Sequence, residues 1–526
     1  MRSATRRVMT FLMNIIKFLF KERIELAIFF TAFLVEIVFG LYLIYRWGHT
    51  FACGDAVSHL YIPRTVVDNG PYSNFANIGT VWLPMFHLLV MLLTLIDPLY
   101  TTGFAGTIVN ALATGGICVL LYRLIGDKKL GIVASALFMG NAFTLIYGAT
   151  AMMEQTAVFF MALAAYYFKR YWDKDDIVEF MNCSLALIFG TLTRYEVWAV
   201  AFLVITFFVL RELNNGQSYR VAYAHLPLWG IFAWLFWNLA IFRDPLAFIH
   251  HPLMMLRELP SSPLSIWDVV GLISQNLFAI SGMLYFLALI SMTVILVRKK
   301  FLQTVVSSIL ITPIPFIAWL SFLGFHSGWV RIYYMGLVGL LISSFYFARG
   351  FKKMLRITVV LVILIAYTIG PITETSPLTI GVVTASPRSD INFAATSRLK
   401  EEVSAIKEVI SKQSVLMSSA PGTPGAHSYA YYSVFAASSP SLIIDDHDQE
   451  LYLMAMKEPW KYCSYVVMEK TSADNPKINI INDYYQGRYF VYRYYADKTW
   501  RLEFLRHYEL ALETEHYLVF RLIGGT

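Results

Sequence analysis

The sequence predicts a polytopic α-helical membrane protein, with about nine to eleven spans, that ends in a small α/β domain. Of its 526 residues, 57% are hydrophobic, 16% are aromatic and only 15% are charged. Soluble domains carry about 25% charged residues, so this composition indicates a chain that is largely buried in lipid. Long apolar segments also alternate with short polar loops as far as residue 373, where the composition becomes that of a soluble domain.

Basic residues stand in small groups between the apolar segments, and this distribution accounts for the formal net charge of +7. Lysine and arginine are enriched in the cytoplasmic loops of membrane proteins, so we attribute the positive charge to the topology of the chain. No nucleic acid partner is therefore expected. Basic residues also surround the apolar run 8–20, which lacks the small-residue cleavage site of a signal peptide. We expect this run to be an interfacial helix, with the N-terminus in the cytoplasm.

Residues 25–45 form the first predicted span, which is long enough to cross a hydrocarbon core of about 30 Å. The stretch that follows lies outside the cytoplasm and contains Asp55. A helix over 55–66 would place Asp55 and His59 on one face, and we expect Pro63 and the Asn-Gly-Pro turn after it to break that helix. A purely structural interpretation is that Asp55 caps the helix N-terminus.

The next apolar segments lie at 81–97, 103–125, 131–147 and 152–168. Basic groups at 123–129 and 169–174 both belong in the cytoplasm, and four full spans that start outside cannot satisfy both. We therefore expect segment 81–97 to be tilted or re-entrant, which is permitted where protein or water covers the backbone. The turn between the last two segments then faces outside, which brings Glu154 to the side of Asp55.

The apolar region 181–211 is interrupted by the sequence Thr193-Arg194-Tyr195-Glu196, which predicts two short helices that meet outside. Further spans are expected at 224–242, 280–297, 303–323, 330–348 and 355–372. An odd number of crossings puts the C-terminus outside the cytoplasm. The predicted localisation is therefore an integral membrane protein, in the cell membrane, with a cytoplasmic N-terminus and an extracytoplasmic C-terminus.

Two domains result: a membrane domain over 1–373, with its first outer loop at 47–80, and a soluble extracytoplasmic domain over 374–526. The second domain alternates helical segments and β-like runs. The predicted helices are 396–412 and 448–457, and the predicted strands are 414–417, 442–444, 465–468, 489–494 and 517–521. The domain has no GxGxxG or Walker pattern, so no nucleotide cofactor is expected. Its tyrosines between 484 and 495 could stack on a sugar, although such residues more often pack a sheet edge or lie at a membrane interface.

The motifs and their order resemble those of the GT-C superfamily of integral membrane glycosyltransferases. After the first span come GDAxxHLYIPR, DNGPYS, GTVWLPMFHLL, YGATAMMEQ and LTRYE. The superfamily includes protein O-mannosyltransferases and the lipid A aminoarabinose transferase, and many members use a polyprenyl-phosphate sugar as donor. The resemblance covers residues 25–350 and implies that Asp55 is the catalytic carboxylate of the first loop.

The sequence departs from the superfamily at two positions that bear on the acceptor. It has no WWDYG-like motif of the kind that oligosaccharyltransferases carry. Ala56 follows Asp55, where protein O-mannosyltransferases have a second acid. The acceptor class, whether lipid, glycan or protein, therefore stays open.

The expected chemistry needs a single base. A sugar on a lipid phosphate has a leaving group that is already a stable anion, so the two carboxylates of a glycosidase are not required. Asp55 would take the proton of an acceptor hydroxyl as its oxygen attacks the anomeric carbon, in an inverting displacement. A base beside a phosphate needs cations, and Arg194 and Arg331 are the outward-facing arginines best placed by topology. Alternatively, Arg194 pairs with Glu196 or Glu154, and Arg331 extends to the membrane interface.

Other side chains are weaker candidates for substrate contact. They are Glu154, His59, His87, Glu196, His326 and Tyr333. A lone histidine on an apolar face is usually a packing residue. Together, His59, Asp55 and Glu154 offer nitrogen and oxygen ligands suited to a divalent metal, but their spacing is not diagnostic and metal dependence stays open. Glu36 is a further candidate, because an acid inside a membrane span is costly to bury.

Two other classes of function compete with a glycosyltransferase. A secondary transporter would also be polytopic, but it should carry internal repeats, and none is detected. A non-catalytic scaffold that presents the C-terminal domain gives no reason for Asp55, Glu154, Arg194 and Arg331 to share one side of the membrane. If the protein is a glycosyltransferase, we expect these four side chains to border one cavity that is open to lipid and to extracytoplasmic water.

Overall fold

A computed structural model describes most of the chain. The described residues are 22–68, 78, 82–250, 264–323, 329–374, 391, 393–410, 414–417, 428–436, 439–444, 451, 454–455, 457–469, 498–515 and 517–524. The predictions for the run 8–20, for His326 and for the tyrosines between 484 and 495 fall outside these residues.

Helices make up the first part of the membrane domain. In order they are α1 (Arg23–Trp47), α2 (Gly54–Val67), α3 (Met85–Val90), α4 (Asp97–Thr102), α5 (Phe104–Ile125), α6 (Lys128–Met139), α7 (Ala142–Ala149), α8 (Glu154–Lys174), α9 (Ile177–Thr191), α10 (Glu196–Asn214), α11 (Trp229–Phe242) and α12 (Ala247–His250). Short 3₁₀ helices occur at Leu93–Leu95 and Ser218–Leu228. Asp127 and Asp176 begin α6 and α9 by accepting backbone N–H groups of the first turn, as N-cap residues do.

The second part of the membrane domain is also helical. Its helices are α13 (Ile266–Ser281), α14 (Leu284–Val297), α15 (Phe301–Ile311), α16 (Pro313–Phe322), α17 (Val330–Tyr334), α18 (Leu337–Arg349) and α19 (Lys353–Glu374). Ser265 and Asp268 form a capping box at the start of α13. The C-terminal domain adds α20 (Phe393–Ile410), α21 (Ser428–Ala436) and α22 (Lys498–His507).

Several of these helices are long and apolar enough to cross a membrane. Among the described residues they are Arg23–Trp47, Phe104–Ile125, Ser218–Phe242 and Val330–Arg349. Three bent helix pairs, α6 with α7 at 66°, α13 with α14 at 103° and α15 with α16 at 49°, raise the number to seven if each pair is one span. The predicted total of about nine to eleven spans also needs crossings by some of α8, α9, α10 and α19.

Helix α5 lies at the centre of the first half of the domain and packs against α1, α6 and α8. Gly106 allows the segment before α8 to approach α5 closely, because a Cβ atom added there would lie 2.4 Å from the Cα of Ala151. Small residues permit such close packing in membrane helices. The backbone that precedes α8 therefore rests directly on α5.

The structure confirms that the apolar region around residue 193 is two helices. Helix α9 ends at Thr191 and α10 begins at Glu196, with the predicted turn between them. Segment 81–97 contains α3, one 3₁₀ turn and the start of α4, and it forms no helix of spanning length. The expectation that Pro63 breaks the first-loop helix is wrong, because α2 continues through it to Val67. A proline near a helix end removes only one backbone hydrogen bond, which a helix of 14 residues tolerates.

The C-terminal domain contains a five-stranded sheet with the order β2-β1-β3-β5-β4. Its strands are β1 (Val415–Met417), β2 (Ile443–Ile444), β3 (Tyr465–Glu469), β4 (Tyr508–Glu513) and β5 (Tyr517–Leu522). β1 is parallel to β2 and β3, whereas β5 is antiparallel to β3 and β4. Four predicted strands and the first predicted helix of this domain are confirmed; the run 489–494 lies outside the described residues, as does most of 448–457.

Candidate functional site

Asp55 meets Arg331 where α2 and α17 come together. Asp55 lies in the first turn of α2, and Arg331 lies in α17. Nη1 of Arg331 donates a hydrogen bond of 2.8 Å to Oδ2 of Asp55. The side chains are 11% exposed for Arg331 and 20% for Asp55, so the pair is largely shielded from solvent but still reachable. A guanidinium this close favours the ionised form of a carboxylate, which is the form that can accept a proton.

Glu154 connects this pair to a second arginine. Its carboxylate is fully buried at the start of α8. Oε1 of Glu154 accepts a hydrogen bond of 2.7 Å from Nη1 of Arg194 and lies 3.7 Å from Nε of Arg331. A buried carboxylate is costly unless cations and hydrogen bonds compensate it. Glu154 therefore lies between the two arginines that topology had placed on the same side.

Arg194 is held by two carboxylates. Its Nε and Nη2 donate to the two oxygens of Glu196 at 3.0 and 2.9 Å, while its Nη1 binds Glu154. Burial works against the charge of Arg194, but the carboxylates of Glu196 and Glu154 outweigh it and raise the pKa of Arg194. Each guanidinium nitrogen of Arg194 therefore donates to a carboxylate. This is the arrangement expected if Arg194 serves as an ion-pair partner of Glu196 and Glu154.

These contacts form one ion-pair network, which consists of Asp55, Arg331, Glu154, Arg194 and Glu196. Four separate parts of the chain contribute to it: α2, α8, the turn before α10 and α17. With all groups ionised, three carboxylates face two guanidinium groups, so the network carries one negative charge in excess. The four side chains that an enzyme should bring together are therefore joined by direct contacts.

Buried polar residues fix the backbone that leads into Glu154. The side-chain amide of Asn110 in α5 donates to the carbonyl oxygens of Thr150 and Met152, at 2.8 and 2.7 Å. Thr107, one turn earlier in α5, donates to the carbonyl oxygen of Ala149 at 2.6 Å. Together with the close approach at Gly106, these bonds determine where α8 begins.

A second polar group connects the helices of Glu154 and Arg331. The hydroxyl of Tyr334, in α17, donates to Oε1 of Gln155 in α8 at 2.5 Å. The amide of Gln155 in turn donates to Thr114 of α5 at 2.7 Å. Sequence reasoning did not select Asn110, Gln155 or Tyr334. The signal that could have found the first two was their position as polar residues in otherwise apolar segments.

Two histidines form a buried pair one helical turn after Asp55. Nδ1 of His87 lies 2.7 Å from the carbonyl oxygen of Ile78, which can only accept, so this nitrogen carries a proton. The other nitrogen of neutral His87 then accepts from Nδ1 of His59 at 3.2 Å. Burial holds the pKa of His59 well below its usual range. Trp82 packs edge-on against His59, with ring centroids 5.0 Å apart.

The proposed metal ligands do not form a ligand set. Arg331 binds Asp55 and lies beside Glu154, while His59 is engaged with His87. Among the residues that the structure describes, no group of three His, Cys, Asp or Glu side chains could hold a metal ion. In this arrangement Asp55 and Glu154 are engaged with arginines, and His59 is engaged with His87.

Two further candidates, Tyr333 and Glu36, are buried in α17 and α1. Tyr333 is buried in α17, but its spacing from Arg331 puts it on a different face of that helix. Glu36 is fully buried in α1, and its carboxyl group packs on Gly148 of α7. A Cβ atom added at Gly148 would lie 2.3–2.6 Å from the carboxyl atoms of Glu36, so a larger residue there would displace that carboxyl group.

Comparison with known proteins bears on the fold. No protein-family model matches the sequence, and neither does any curated protein. A similar solved structure is ArnT from Cupriavidus metallidurans bound to undecaprenyl phosphate, with 10% identity, a TM-score of 0.58, and coverage of 94% of this chain and 98% of that chain. The archaeal oligosaccharyltransferase AglB from Archaeoglobus fulgidus, in complex with an inhibitory peptide and a dolichol-phosphate, gives 12% identity, a TM-score of 0.49, and coverage of 86% and 70%.

The likeness to ArnT is one of fold, and it extends over almost the full length of both chains. It agrees with the apolar helices and with the small C-terminal sheet. The chain therefore shares the fold of the membrane protein ArnT.

Proposed function

We propose that this protein is a membrane glycosyltransferase that moves a sugar from a polyprenyl-phosphate donor to an acceptor hydroxyl on the extracytoplasmic face. The observation that carries the proposal is the ion pair between Asp55 and Arg331, which joins the first-loop helix α2 to α17. The similar ArnT structure holds undecaprenyl phosphate, which supports a lipid phosphate as the donor's carrier.

In the proposed reaction, Asp55 takes the proton of the acceptor hydroxyl while the acceptor oxygen forms a bond to the anomeric carbon. The bond from that carbon to the phosphate oxygen breaks, and its electron pair leaves with the polyprenyl phosphate. Attack and departure occur on opposite faces, so the configuration of the anomeric carbon inverts. The leaving phosphate is stable as an anion and needs no proton from the protein.

The geometry favours Arg331 over Arg194 as the contact for the donor phosphate. Arg194 is committed to Glu196 and Glu154 through each of its nitrogens. Arg331 lies 2.8 Å from Asp55 and 3.7 Å from Glu154, and the side chain of Asp55 is 20% exposed, so a donor phosphate can approach the arginine beside the proposed base. A guanidinium there can bind a phosphate through two charge-assisted hydrogen bonds. The weaker candidates His59, His87 and Glu196 then act by shaping the site around Asp55.

The scaffold alternative leaves the ion-pair network unexplained. Collecting three carboxylates and two arginines from four separated parts of the chain costs desolvation energy, and hydrophobic residues would pack the same region without that cost. Perturbed, clustered titratable groups are typical of functional sites. The experiment below identifies the acceptor class and the sugar, whether a hexose or a pentose.

The test is a transfer assay with purified protein in lipid nanodiscs. Polyprenyl-phosphate sugars that carry a radiolabel in the sugar are offered with lipid, glycan and peptide acceptors, and the labelled product is identified by chromatography. We expect the label to move from one donor to one acceptor class, with inversion at the anomeric carbon. Retention of configuration, or transfer that proceeds equally well with Asp55→Asn, would overturn the proposal.

A further inference from the structure

The helix that carries Asp55 is held at both ends by the C-terminal domain. Helix α2 begins at Gly54 and ends at Val67, and the residues just before and just after it contact residues 393–444. Helix α21 also packs along α2. These contacts join parts of the chain that are more than 300 residues apart, as the separation of 352 between Gly48 and Lys400 shows.

Before α2, the chain is fixed by side chains of α20. Nζ of Lys400 donates to the carbonyl oxygen of Gly48 at 3.1 Å. Ser397 binds Nε2 of His49 at 3.1 Å and the carbonyl oxygen of Trp47 at 3.4 Å. Gly48 has a left-handed conformation with φ of 75°, so the chain turns sharply between α1 and α2 at this point. The side chains of α20 therefore hold the bend from which α2 departs.

Aromatic rings pack around the same bend. Phe435 of α21 lies 5.6 Å from the ring of His49 and 5.7 Å from that of Phe51, measured between centroids. Trp47 stacks on Phe393 at 6.4 Å. His49 and Phe51 are both fully buried, so this contact excludes water from the start of the first outer loop.

After α2, the carboxylate of Asp68 is the point of attachment. Asp68 follows the helix as its C-cap, and its Oδ2 accepts hydrogen bonds from the hydroxyl of Ser439 and from the backbone N–H of Ser441, the latter at 3.4 Å. Nearby, the hydroxyls of Tyr100 and Ser433 lie 2.8 Å apart. The two ends of α2 are thus tied to two different elements of one domain.

We propose that α20, α21 and residues 439–441 act as a brace that positions α2, so that these C-terminal elements set the place of Asp55 opposite Arg331. This inference rests on the proposed function, because Asp55 matters as a base only if the chain transfers a sugar. Ser397, Lys400, Ser439 and Ser441 are positioning residues: the first two bind the backbone of Trp47 and Gly48 and the ring of His49, and the last two bind the carboxylate of Asp68. A misplacement of a catalytic group by about 1 Å can lower a rate by about two orders of magnitude, so such a brace has a direct kinetic effect.

The test compares two variants of α20 in the full-length protein. Ser397→Ala with Lys400→Met removes the brace before α2. Ser404→Ala with Lys407→Met makes the same chemical changes on an exposed face of the same helix. Amide hydrogen exchange of residues 54–67 is measured by mass spectrometry, and kcat and KM are measured in the transfer assay.

We expect the brace variant to exchange faster in residues 54–67 and to lose about tenfold or more in kcat with little change in KM, because α2 is displaced without loss of a substrate contact. The control should match the wild type in both. Ser397→Thr with Lys400→Arg, which keeps the hydroxyl and the cation, should restore most of the rate. If the brace variant also exchanges faster in strand β3, the same measurements are made on Ser439→Ala, which removes a contact at the other end of α2.

Unchanged exchange in residues 54–67 would overturn the brace, whatever the activity. Faster exchange with an unchanged kcat would overturn the positioning role. If the wild type transfers no sugar at all, the proposed function fails, while the exchange measurement still decides whether the C-terminal domain holds α2.

Discussion

Arg331 donates a hydrogen bond of 2.8 Å to Asp55, across 276 residues of sequence. The arginine also lies 3.7 Å from Glu154, so it faces two carboxylates. In the proposed reaction one of them, Asp55, accepts a proton, and the other compensates the charge of the arginines. Two variants at this pair separate the role of the base from that of the cation.

Asp55→Asn should insert and fold normally but lose transfer by about two orders of magnitude or more, because an amide has the shape of the carboxylate and cannot act as a base. Asp97→Asn is the matched control: Asp97 is 64% exposed and pairs with Arg64 at the far end of α2. The measurement is kcat/KM in the transfer assay. A high rate in Asp55→Asn, or an equal loss in Asp97→Asn, would show that Asp55 is not the base.

Arg331→Lys should lose less activity than Arg331→Ala, because lysine keeps the charge and not the planar pair of donors that fits a phosphate or carboxylate. We expect a loss of about tenfold for lysine and of about a hundredfold or more for alanine, which leaves two carboxylates without their shared cation. Arg356→Ala removes an arginine that pairs with Asp127 elsewhere in the domain and serves as control. Equal rates for the lysine and alanine variants would contradict a role for the guanidinium.

A double-mutant cycle at Arg194 and Glu196 distinguishes phosphate binding from a structural ion pair. The geometry favours the ion pair, so Arg194→Ala should lose activity and Arg194→Ala with Glu196→Ala should regain much of it, because less uncompensated charge is left buried. Thermal stability should follow the same pattern. If the double variant regains the thermal stability of the wild type but stays as inactive as Arg194→Ala, then Arg194 binds the donor phosphate, which is the other role that the sequence allows.

The predicted topology can be tested by cysteine labelling in intact cells. Lys128 and Arg506 have side chains that are 72% and 74% exposed, so a cysteine at either position is reachable from its own side of the membrane. In a Cys53→Ser background, an impermeant thiol reagent should label Arg506→Cys and not Lys128→Cys. Both should react after permeabilisation. Labelling of Lys128→Cys in intact cells would reverse the assigned orientation.

His49 should make the protein less stable in acid. Its Nδ1 accepts the backbone N–H of Phe51, so the neutral ring is the form that fits. Burial, and then the charge of Lys400, lower the pKa of His49 to about 3. Histidine in the unfolded chain titrates near pH 6.5, so the stabilisation is complete above that pH and is lost as the pH falls. The free energy of unfolding should drop by about 1.4 kcal/mol per pH unit from this residue between about pH 6 and pH 3.

The measurement is the unfolding free energy of the wild type and of His49→Gln between pH 7 and pH 5. Glutamine can still donate to Ser397 and accept from Phe51, but it does not titrate, so the variant should show a shallower dependence on pH. His59 changes stability in the same direction and is present in both proteins. Parallel slopes would rule out His49 as a source of acid sensitivity.

The sequence was sufficient to select every member of the ion-pair network. Charged residues are rare in this chain, so Asp55, Glu154, Arg194 and Arg331 stand out against apolar segments, and the distribution of basic loops puts them on one side. Their pairing could not be predicted, because it depends on how α8 and α17 approach each other in space. Tyr334, which connects those two helices, reads in the sequence as an ordinary aromatic residue of a span.

The C-terminal domain shows a different limit of sequence reasoning. Strands β1, β2, β3 and β5 were predicted from apolar runs, but β4 was not. β4 is at the edge of the sheet, and most of its side chains are at least partly exposed, so it lacks the alternation that identifies a half-buried strand. The preceding α22 carries many charged residues and was missed together with it.

The separation of the network's members along the chain has a consequence for biosynthesis. Membrane proteins are made and inserted from the N-terminus, so Glu154 is synthesised before either of its cations. Arg194 follows 40 residues later and binds it directly, whereas Arg331 emerges only when most of the membrane domain is already in place. The nascent chain therefore needs Arg194 to compensate a buried carboxylate long before any substrate can bind. We therefore expect a variant that lacks Arg194 to be degraded by the quality-control proteases of the membrane before it completes folding.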